Sequence, residues 1–141
     1  MKLVHFYLNF PGTAEEAFLF YETVFQTKIL GKVTYGEAPF AGPVPEAYKN
    51  KLMNIQMPLS DHVHLMASDS LLGVGEPLVV GNNFYLSVVA SSRHEADRVF
   101  QALAEKGEVE MPMANAPWGP YFGMCHDRFG IHWMISLETS V

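Results

Sequence analysis

The chain has 141 residues, of which 49% are hydrophobic and 17% charged, and its formal net charge is −6 at pH 7. This is enough apolar material for a packed core and too little charge for a disordered chain. Nine Lys and Arg residues do not supply the basic surface that phosphate backbones require, so nucleic acids and membranes are not expected partners. The single cysteine, Cys125, excludes an internal disulfide and, with no visible targeting segment, favours a cytoplasmic location.

The first half of the chain is predicted to form a strand, a helix and three further strands. Residues 2–10 are rich in β-branched and aromatic residues, as strands are. Thr13 and Glu16 match a capping box, in which the hydroxyl and the carboxylate each accept a backbone N–H, and apolar residues then recur at helical spacing over 13–25. The three strands that follow are predicted at 29–35, 51–59 and 62–67, with the last two joined as a hairpin.

Two segments rich in proline and glycine interrupt this pattern. Residues 36–50 contain three prolines and two glycines and are not expected to form a regular element. A loop of this length predicts a lid over a ligand or an arm in a dimer. The second segment, at about 69–81, is the predicted linker between a first module at about 1–68 and a second module at about 82–141.

The same order of elements restarts after the linker. A strand is predicted at 83–90, and Ser92 with Glu95 matches a second capping box, for a helix that Gly107 would end as its C-cap. The last three strands are predicted at 108–113, 122–126 and 131–137, with a turn at 127–130.

This half-length repeat predicts an α+β fold made of two paired β-α-β-β-β modules. Each module has a helix on one face of its sheet, so the other face has to be buried by a neighbour, and pairing the two sheets side by side does this. The expected result is a curved sheet around a cleft with the helices outside. A generic ferredoxin-like α+β domain is the alternative interpretation.

Three motifs, in this order along the chain, carry a family resemblance. They are AFLFYETVF at 17–25, HLMASD at 64–69 and WGPYFGMCHDRFGIHW at 118–133. Together they resemble the PhnB-like branch of the vicinal-oxygen-chelate superfamily (glyoxalase/bleomycin resistance/dioxygenase). The resemblance implies the paired-module fold and a homodimer. Relatives often carry a demethylubiquinone-methyltransferase label, but this sequence lacks the Gly-rich strand-to-helix turn that a doubly wound methyltransferase would use.

The resemblance also bears on metal binding. Metal-dependent members of the superfamily carry ligands at four positions, which fall here on His5, His64, Phe84 and Met134. Phenylalanine has no donor atom, and a thioether is soft and suits Cu(I) rather than harder divalent ions. We therefore expect no metal cofactor. The alternative is a divalent metal held by His5, His62 and His64, because His62 and His64 share one face of a strand.

The region around the turn at 127–130 holds further reactive side chains. Cys125 has no neighbouring cation in the strand that would stabilise a thiolate, so it is not expected to be a nucleophile. Asp127 is predicted to cap the turn. His126 and His132 lie near the same turn, and no role is assigned to them.

Three functional hypotheses stay open. We expect a small-molecule-binding protein, a homodimer that holds an organic ligand in an aromatic cleft and needs no metal. Its ligand-binding residues would be His5, His64, Trp118 and Phe122, although the two aromatic residues could equally pack in the core. The alternatives are a divalent-metal-dependent glyoxalase- or dioxygenase-type enzyme acting on vicinal oxygens, and a dimeric interaction module without a ligand. The sequence identifies neither a ligand nor a reaction.

Overall fold

A computed structural model describes residues 1–38 and 44–138 of the chain, which forms two compact units, 1–79 and 80–141. Each unit contains one strand, one helix and three further strands, in that order. The predicted α+β fold with a repeated β-α-β-β-β module is therefore confirmed. Across the described residues, every helix is too short or too polar to span a bilayer.

The first unit is a four-stranded sheet with one helix and a short 3-10 helix. Its elements are β1 (Phe6–Phe10), α1 (Ala14–Phe25), β2 (Gly31–Thr34), the 3-10 helix (Glu46–Tyr48), β3 (Leu52–Pro58) and β4 (His64–Asp69). The strand order is β1-β4-β3-β2, in which β1 runs parallel to β4 and the other pairs are antiparallel.

The second unit repeats this arrangement. Its elements are β5 (Leu86–Ala90), α2 (Arg93–Ala104), β6 (Glu108–Asn115), β7 (Tyr121–His126) and β8 (His132–Leu137). The order β5-β8-β7-β6, with β5 parallel to β8, is the order of the first sheet. In both units, alternate residues of most strands are buried, as expected for a sheet with a helix packed on one face, whereas β2 and β6 contain no buried residue.

The start of α1 differs from the predicted capping box. The helix begins at Ala14, but the Thr13 side chain makes no capping bond, and its backbone (φ −112°, ψ 16°) lies outside the extended region usual for an N-cap. The Ala14 N–H instead donates to Oδ1 of Asp69 at 2.9 Å, and Oδ2 of Asp69 accepts from the Leu52 N–H at 2.8 Å. The capping box at Thr13 was wrong because a buried carboxylate from β4 takes its place.

The start of α2 follows the prediction more closely. The Glu95 N–H donates to Oγ of Ser92 at 3.1 Å, which confirms Ser92 as the N-cap. The Glu95 carboxylate reaches back to the N–H of Ser91 at 3.1 Å, one residue earlier than a capping box requires.

The end of α2 does not use Gly107 as the predicted C-cap. Glu105 is the C-cap, and Lys106 is the residue with a positive φ, 60°. A Cβ atom at Gly107 would lie 2.2 Å from the carbonyl oxygen of His126. The glycine is therefore needed for the close approach of β6 to the end of β7, and this requirement is not visible in the local sequence.

The segment at 36–50, predicted to be irregular, includes one regular element. It contains the 3-10 helix at Glu46–Tyr48, a short regular element that its proline content did not indicate. Residues 39–43 lie outside the described residues. The interpretation of this segment as a lid or a dimer arm stays a prediction.

Replacing Asp69 with alanine should destabilise the protein strongly. The change leaves the Ala14 and Leu52 N–H groups buried without their acceptor, at a cost of about 2–5 kcal/mol in the free energy of unfolding. Chemical denaturation of D69A and the parent chain measures this difference. The matched control is D61A, in the exposed turn before β4, which should change stability by less than about 0.5 kcal/mol. Equal stability of D69A and D61A would contradict the assigned role of Asp69.

Candidate functional site

The second sheet has one face covered by α2 and one face that this helix does not cover. A Cβ atom added at Gly123 would lie 2.9 Å from the Phe100 ring of α2, so a side chain at position 123 would face the helix. Side chains alternate along a strand, which places its neighbours on the opposite face. We call that side the helix-free face, and its central residues are Phe122, Met124, His126, His132 and Met134.

A cluster of titratable groups lies at one end of the helix-free face. Oε1 of Glu110 is 2.8 Å from Nδ1 of His132 and 3.2 Å from Nδ1 of His126. The Tyr85 hydroxyl donates to Oε2 of Glu110, and a Glu108 oxygen lies 3.4 Å from Nε2 of His126. We call these five residues the Glu110 cluster. Glu110, His126 and His132 each offer one atom that could bind a metal ion, and these three atoms lie within 4.8 Å of one another. Among the described residues, this is the one group of three or more His, Cys, Asp or Glu side chains so arranged.

Strand register brings the cluster together. His126 and His132 are directly opposed on β7 and β8, and Glu108 opposes His126 from β6. The register of β6 shifts between Val109 and Met111, which makes Glu110 the extra residue of a β-bulge. Bulges re-aim side chains, and here the bulged carboxylate reaches both imidazoles.

The turn between the two histidines is held by Asp127. Its Oδ1 accepts from the N–H groups of Phe129 at 2.8 Å and Ile131 at 3.1 Å, which confirms the predicted turn cap. Its Oδ2 accepts from Nε1 of Trp133 at 2.8 Å. Gly130 completes the turn with φ +86°. Because Asp127 and Trp133 are buried, the positions of the flanking histidines are set by core packing.

Hydrogen bonding makes Glu110 a stable carboxylate. The bond from Tyr85 lowers the pKa of Glu110; burial acts in the opposite direction, and the bonds to His126 and His132 lower it further. The same bond to Glu110 raises the pKa of Tyr85, so that hydroxyl stays protonated. An ionised carboxylate is an acceptor only, so the two imidazoles direct Nδ1–H groups at Oε1.

Two of the predicted ligand-binding residues meet in the first unit. The His64 N–H donates to Nδ1 of His5 at 2.9 Å, and the two rings are 5.0 Å apart. Because Nδ1 accepts, the neutral His5 ring carries its proton on Nε2. His62 is exposed and does not join these two in a three-donor group.

The four superfamily positions do not provide a set of metal donors. His5 already uses Nδ1 as an acceptor, and Phe84, which has no donor, is 57% exposed before β5. Met134 offers a soft thioether from the helix-free face. These residues do not fit a borderline divalent ion.

The two predicted aromatic ligand contacts have different environments. Trp118 is 87% exposed in the turn between β6 and β7, so the alternative that it packs in the core is wrong. Phe122 is partly buried and lies on the helix-free face beside Met124 and Met134. Phe122 therefore shares a surface with the Glu110 cluster.

The sequence interpretation missed this cluster. Its visible signal was the pair His126 and His132, one on each side of the predicted turn at 127–130, which favours cross-strand neighbours. Glu108 and Glu110 begin the strand next to them. The bulge that brings Glu110 to both rings depends on pairing between strands and has no local signature.

Comparisons with known proteins agree with the fold and the motifs. Residues 2–136 match the family described as 3-demethylubiquinone-9 3-methyltransferase. The chain is 27% identical to Protein YjdN of Escherichia coli K12, over 93% of this chain and 92% of that protein. Protein PA1353 of Pseudomonas aeruginosa is 33% identical, with a TM-score of 0.85 and 98% of each chain covered. The PhnB protein of Bacillus cereus is 26% identical, with a TM-score of 0.76 over 96% of this chain and 98% of that one.

A more distant structure shares the fold alone. A glyoxalase/bleomycin resistance protein from Albidiferax ferrireducens is 15% identical, with a TM-score of 0.63 over 99% of this chain and 100% of that one. This similarity agrees with the fold that the sequence motifs indicated.

The Cys125 thiol should be unreactive in the folded protein. Burial, followed by the nearby carboxylates of Asp127 and Glu110, raises the pKa of this thiol to about 12. Thiol-reactive dye at about pH 8 should label the native chain far more slowly than the urea-unfolded chain. Stability should also fall as the pH rises from the ordinary value of 9.0 toward about 12, because only the unfolded thiol ionises in that range. Rapid stoichiometric labelling of the native chain would contradict this.

Proposed function

This chain belongs to the PhnB-like 3-demethylubiquinone-9 3-methyltransferase family, and from that premise we propose that it is a small-molecule-binding protein. The ligand is an organic molecule with an apolar body and at least one polar oxygen. The ligand binds against sheet surface that the two helices do not cover.

The composition of the helix-free face carries this proposal. Phe122, Met124 and Met134 form an apolar surface of partly buried side chains. The imidazoles of His126 and His132 border it at one end. Ligand sites in proteins combine a mainly apolar lining with a few convergent polar groups, and flexible thioethers adapt to ligand shape.

The first unit adds support through its histidine pair. His64 holds His5 in the tautomer with a proton on Nε2, which is a donor suited to a ligand oxygen. Met66 on β4 and Tyr7 on β1 are cross-strand partners, and both lie on the same face of the sheet as His64. We propose that His5 and His64 orient the ligand by hydrogen bonding and need no metal to do so.

The family description names a methyltransferase, and we do not extend that activity to this chain. Doubly wound methyltransferases bind their cofactor at the carboxyl ends of parallel strands, after a Gly-rich turn. Both described sheets are mixed, with one parallel pair each. The turn between β1 and α1 contains the single glycine Gly12. Binding of a small molecule is better supported by these features than methyl transfer.

Ligand binding should depend on Phe122 and His5. The probe is whatever organic molecule native mass spectrometry finds with the purified chain, or else the best binder from a thermal-shift screen of small aromatic compounds carrying adjacent oxygens. F122A should weaken its binding about tenfold or more, because burying a phenyl ring contributes about 1.5–3 kcal/mol. H5A should weaken it by removing the Nε2 donor.

The matched control is L19A, which removes an exposed apolar side chain from the outer surface of α1. It should leave the affinity unchanged. Equal affinities of F122A, H5A and L19A would refute the proposed surface, and no bound compound in either search would refute small-molecule binding itself.

We also propose that the chain forms a homodimer, as the family resemblance implies. The hydrophobic content of 49% is high for a small chain with little charge. Equilibrium sedimentation at micromolar concentration should give twice the chain mass of 15.8 kDa. A single species of 15.8 kDa across the concentration range would count against a dimer.

A further inference from the structure

We propose that Glu110, His126 and His132 form a binding site for a divalent transition-metal ion, best suited to Zn²⁺, on the helix-free face of the second sheet. This site uses none of the four superfamily positions described above. It stands independently of the proposed small-molecule binding, since it rests on donor geometry within one hairpin and its neighbouring strand.

The donor set has the right chemistry. Two imidazoles and one carboxylate are the ligands of one common class of zinc site with an open fourth position. The same set with open positions also suits first-row neighbours such as Fe²⁺. The hydrogen bond from Tyr85 occupies Oε2 of Glu110, which leaves Oε1 as the oxygen directed at both rings.

The two Oε1–Nδ1 distances are somewhat shorter than the edges of a tetrahedral coordination polyhedron. Bonds of about 2.0–2.1 Å in a tetrahedron separate neighbouring ligand atoms by about 3.3 Å. Oε1 of Glu110 is 3.2 Å from Nδ1 of His126 and 2.8 Å from Nδ1 of His132. Side-chain rotation has to lengthen both distances to admit an ion, and an ion bound at Nδ1 requires each neutral ring to carry its proton on Nε2 instead.

The surrounding residues supply the contacts that metal ligands usually make. A coordinating imidazole typically donates its other N–H to a carboxylate, and a coordinating carboxylate is itself hydrogen-bonded. Nε2 of His126 lies 3.4 Å from the Glu108 carboxylate, and the Tyr85 hydroxyl donates to Glu110. The arrangement therefore extends beyond three donors that merely lie near one another.

The scaffold favours binding because the donors are held in place before an ion arrives. Asp127 fixes the turn that carries both histidines, and it is only 2% exposed. His132 has 14% and Glu110 25% of the side chain exposed, so an ion between them keeps access to solvent on one side. The remaining coordination position would hold water or an oxygen atom of a ligand.

The test is a titration of the chelator-treated, full-length chain with ZnCl₂ by isothermal calorimetry near neutral pH. We expect one ion per chain with a dissociation constant of about 10 μM or tighter, weaker than four-ligand structural sites. H126A and H132A should each lose at least about 100-fold in affinity, and E110Q, which keeps the shape but not the charge, should also bind poorly. Y85F and E108Q should lose about 10–100-fold, as contacts around metal ligands do.

Matched histidine variants provide the controls. H62A and H94A remove exposed imidazoles outside the cluster and should bind Zn²⁺ as the parent chain does. X-ray absorption of the Zn²⁺-loaded chain should show nitrogen and oxygen neighbours at about 2.0–2.2 Å. Circular dichroism of each variant verifies that it is folded.

Three results would overturn the proposal. The first is the absence of saturable Zn²⁺ binding by the folded parent chain. The second is binding that H126A, H132A and E110Q leave unchanged. The third is binding that is lost in H5A or H64A instead, which would place the ion at the superfamily positions of the first unit.

Discussion

Each unit depends on one buried aspartate, Asp69 in the first unit and Asp127 in the second. The carboxylate of each accepts hydrogen bonds from more than one structural element. A carboxylate is costly to remove from water unless hydrogen bonds replace its hydration. Asp69 accepts from the first N–H of α1 and the first N–H of β3, and its carbonyl accepts from the Tyr35 hydroxyl at 2.8 Å. Among the described residues, no buried side-chain nitrogen or oxygen lacks a hydrogen-bond partner. These carboxylates therefore determine where the helix and the hairpin sit on their sheets.

The second of these residues, Asp127, connects core packing to the candidate site. Its two oxygens hold the turn on one side and the buried Trp133 indole on the other. Because β7 and β8 leave this turn in opposed register, His126 and His132 have to face each other. Their ring centroids are 5.1 Å apart, and the pairing of the two strands in the hairpin accounts for this distance. The same contacts that stabilise the core thus position the polar groups of the helix-free face.

The fold was predictable because its signals are local and occur twice. Strand periodicity, the Ser92 cap and the turn ending at Gly130 each depend on a few neighbouring residues, and all were identified. The Thr13 box satisfied the same local rule and still failed, because Asp69, 55 residues away in sequence, was a competing acceptor for the Ala14 N–H. Local patterns identify the donors that need a partner, and tertiary contacts decide which acceptor they receive.

The candidate site was less predictable because it depends on an irregular edge strand. In the second sheet β6 pairs on one side only, and edge strands are commonly interrupted by bulges. Gly107 lets this strand approach the backbone at His126, and the bulged Glu110 contacts the imidazoles of His126 on β7 and His132 on β8. In a regular strand Glu110 would have a direct cross-strand partner, and its position relative to the rings would be set by strict alternation. Glu110, the unpaired residue of this irregular strand, is therefore the anionic partner of both histidines.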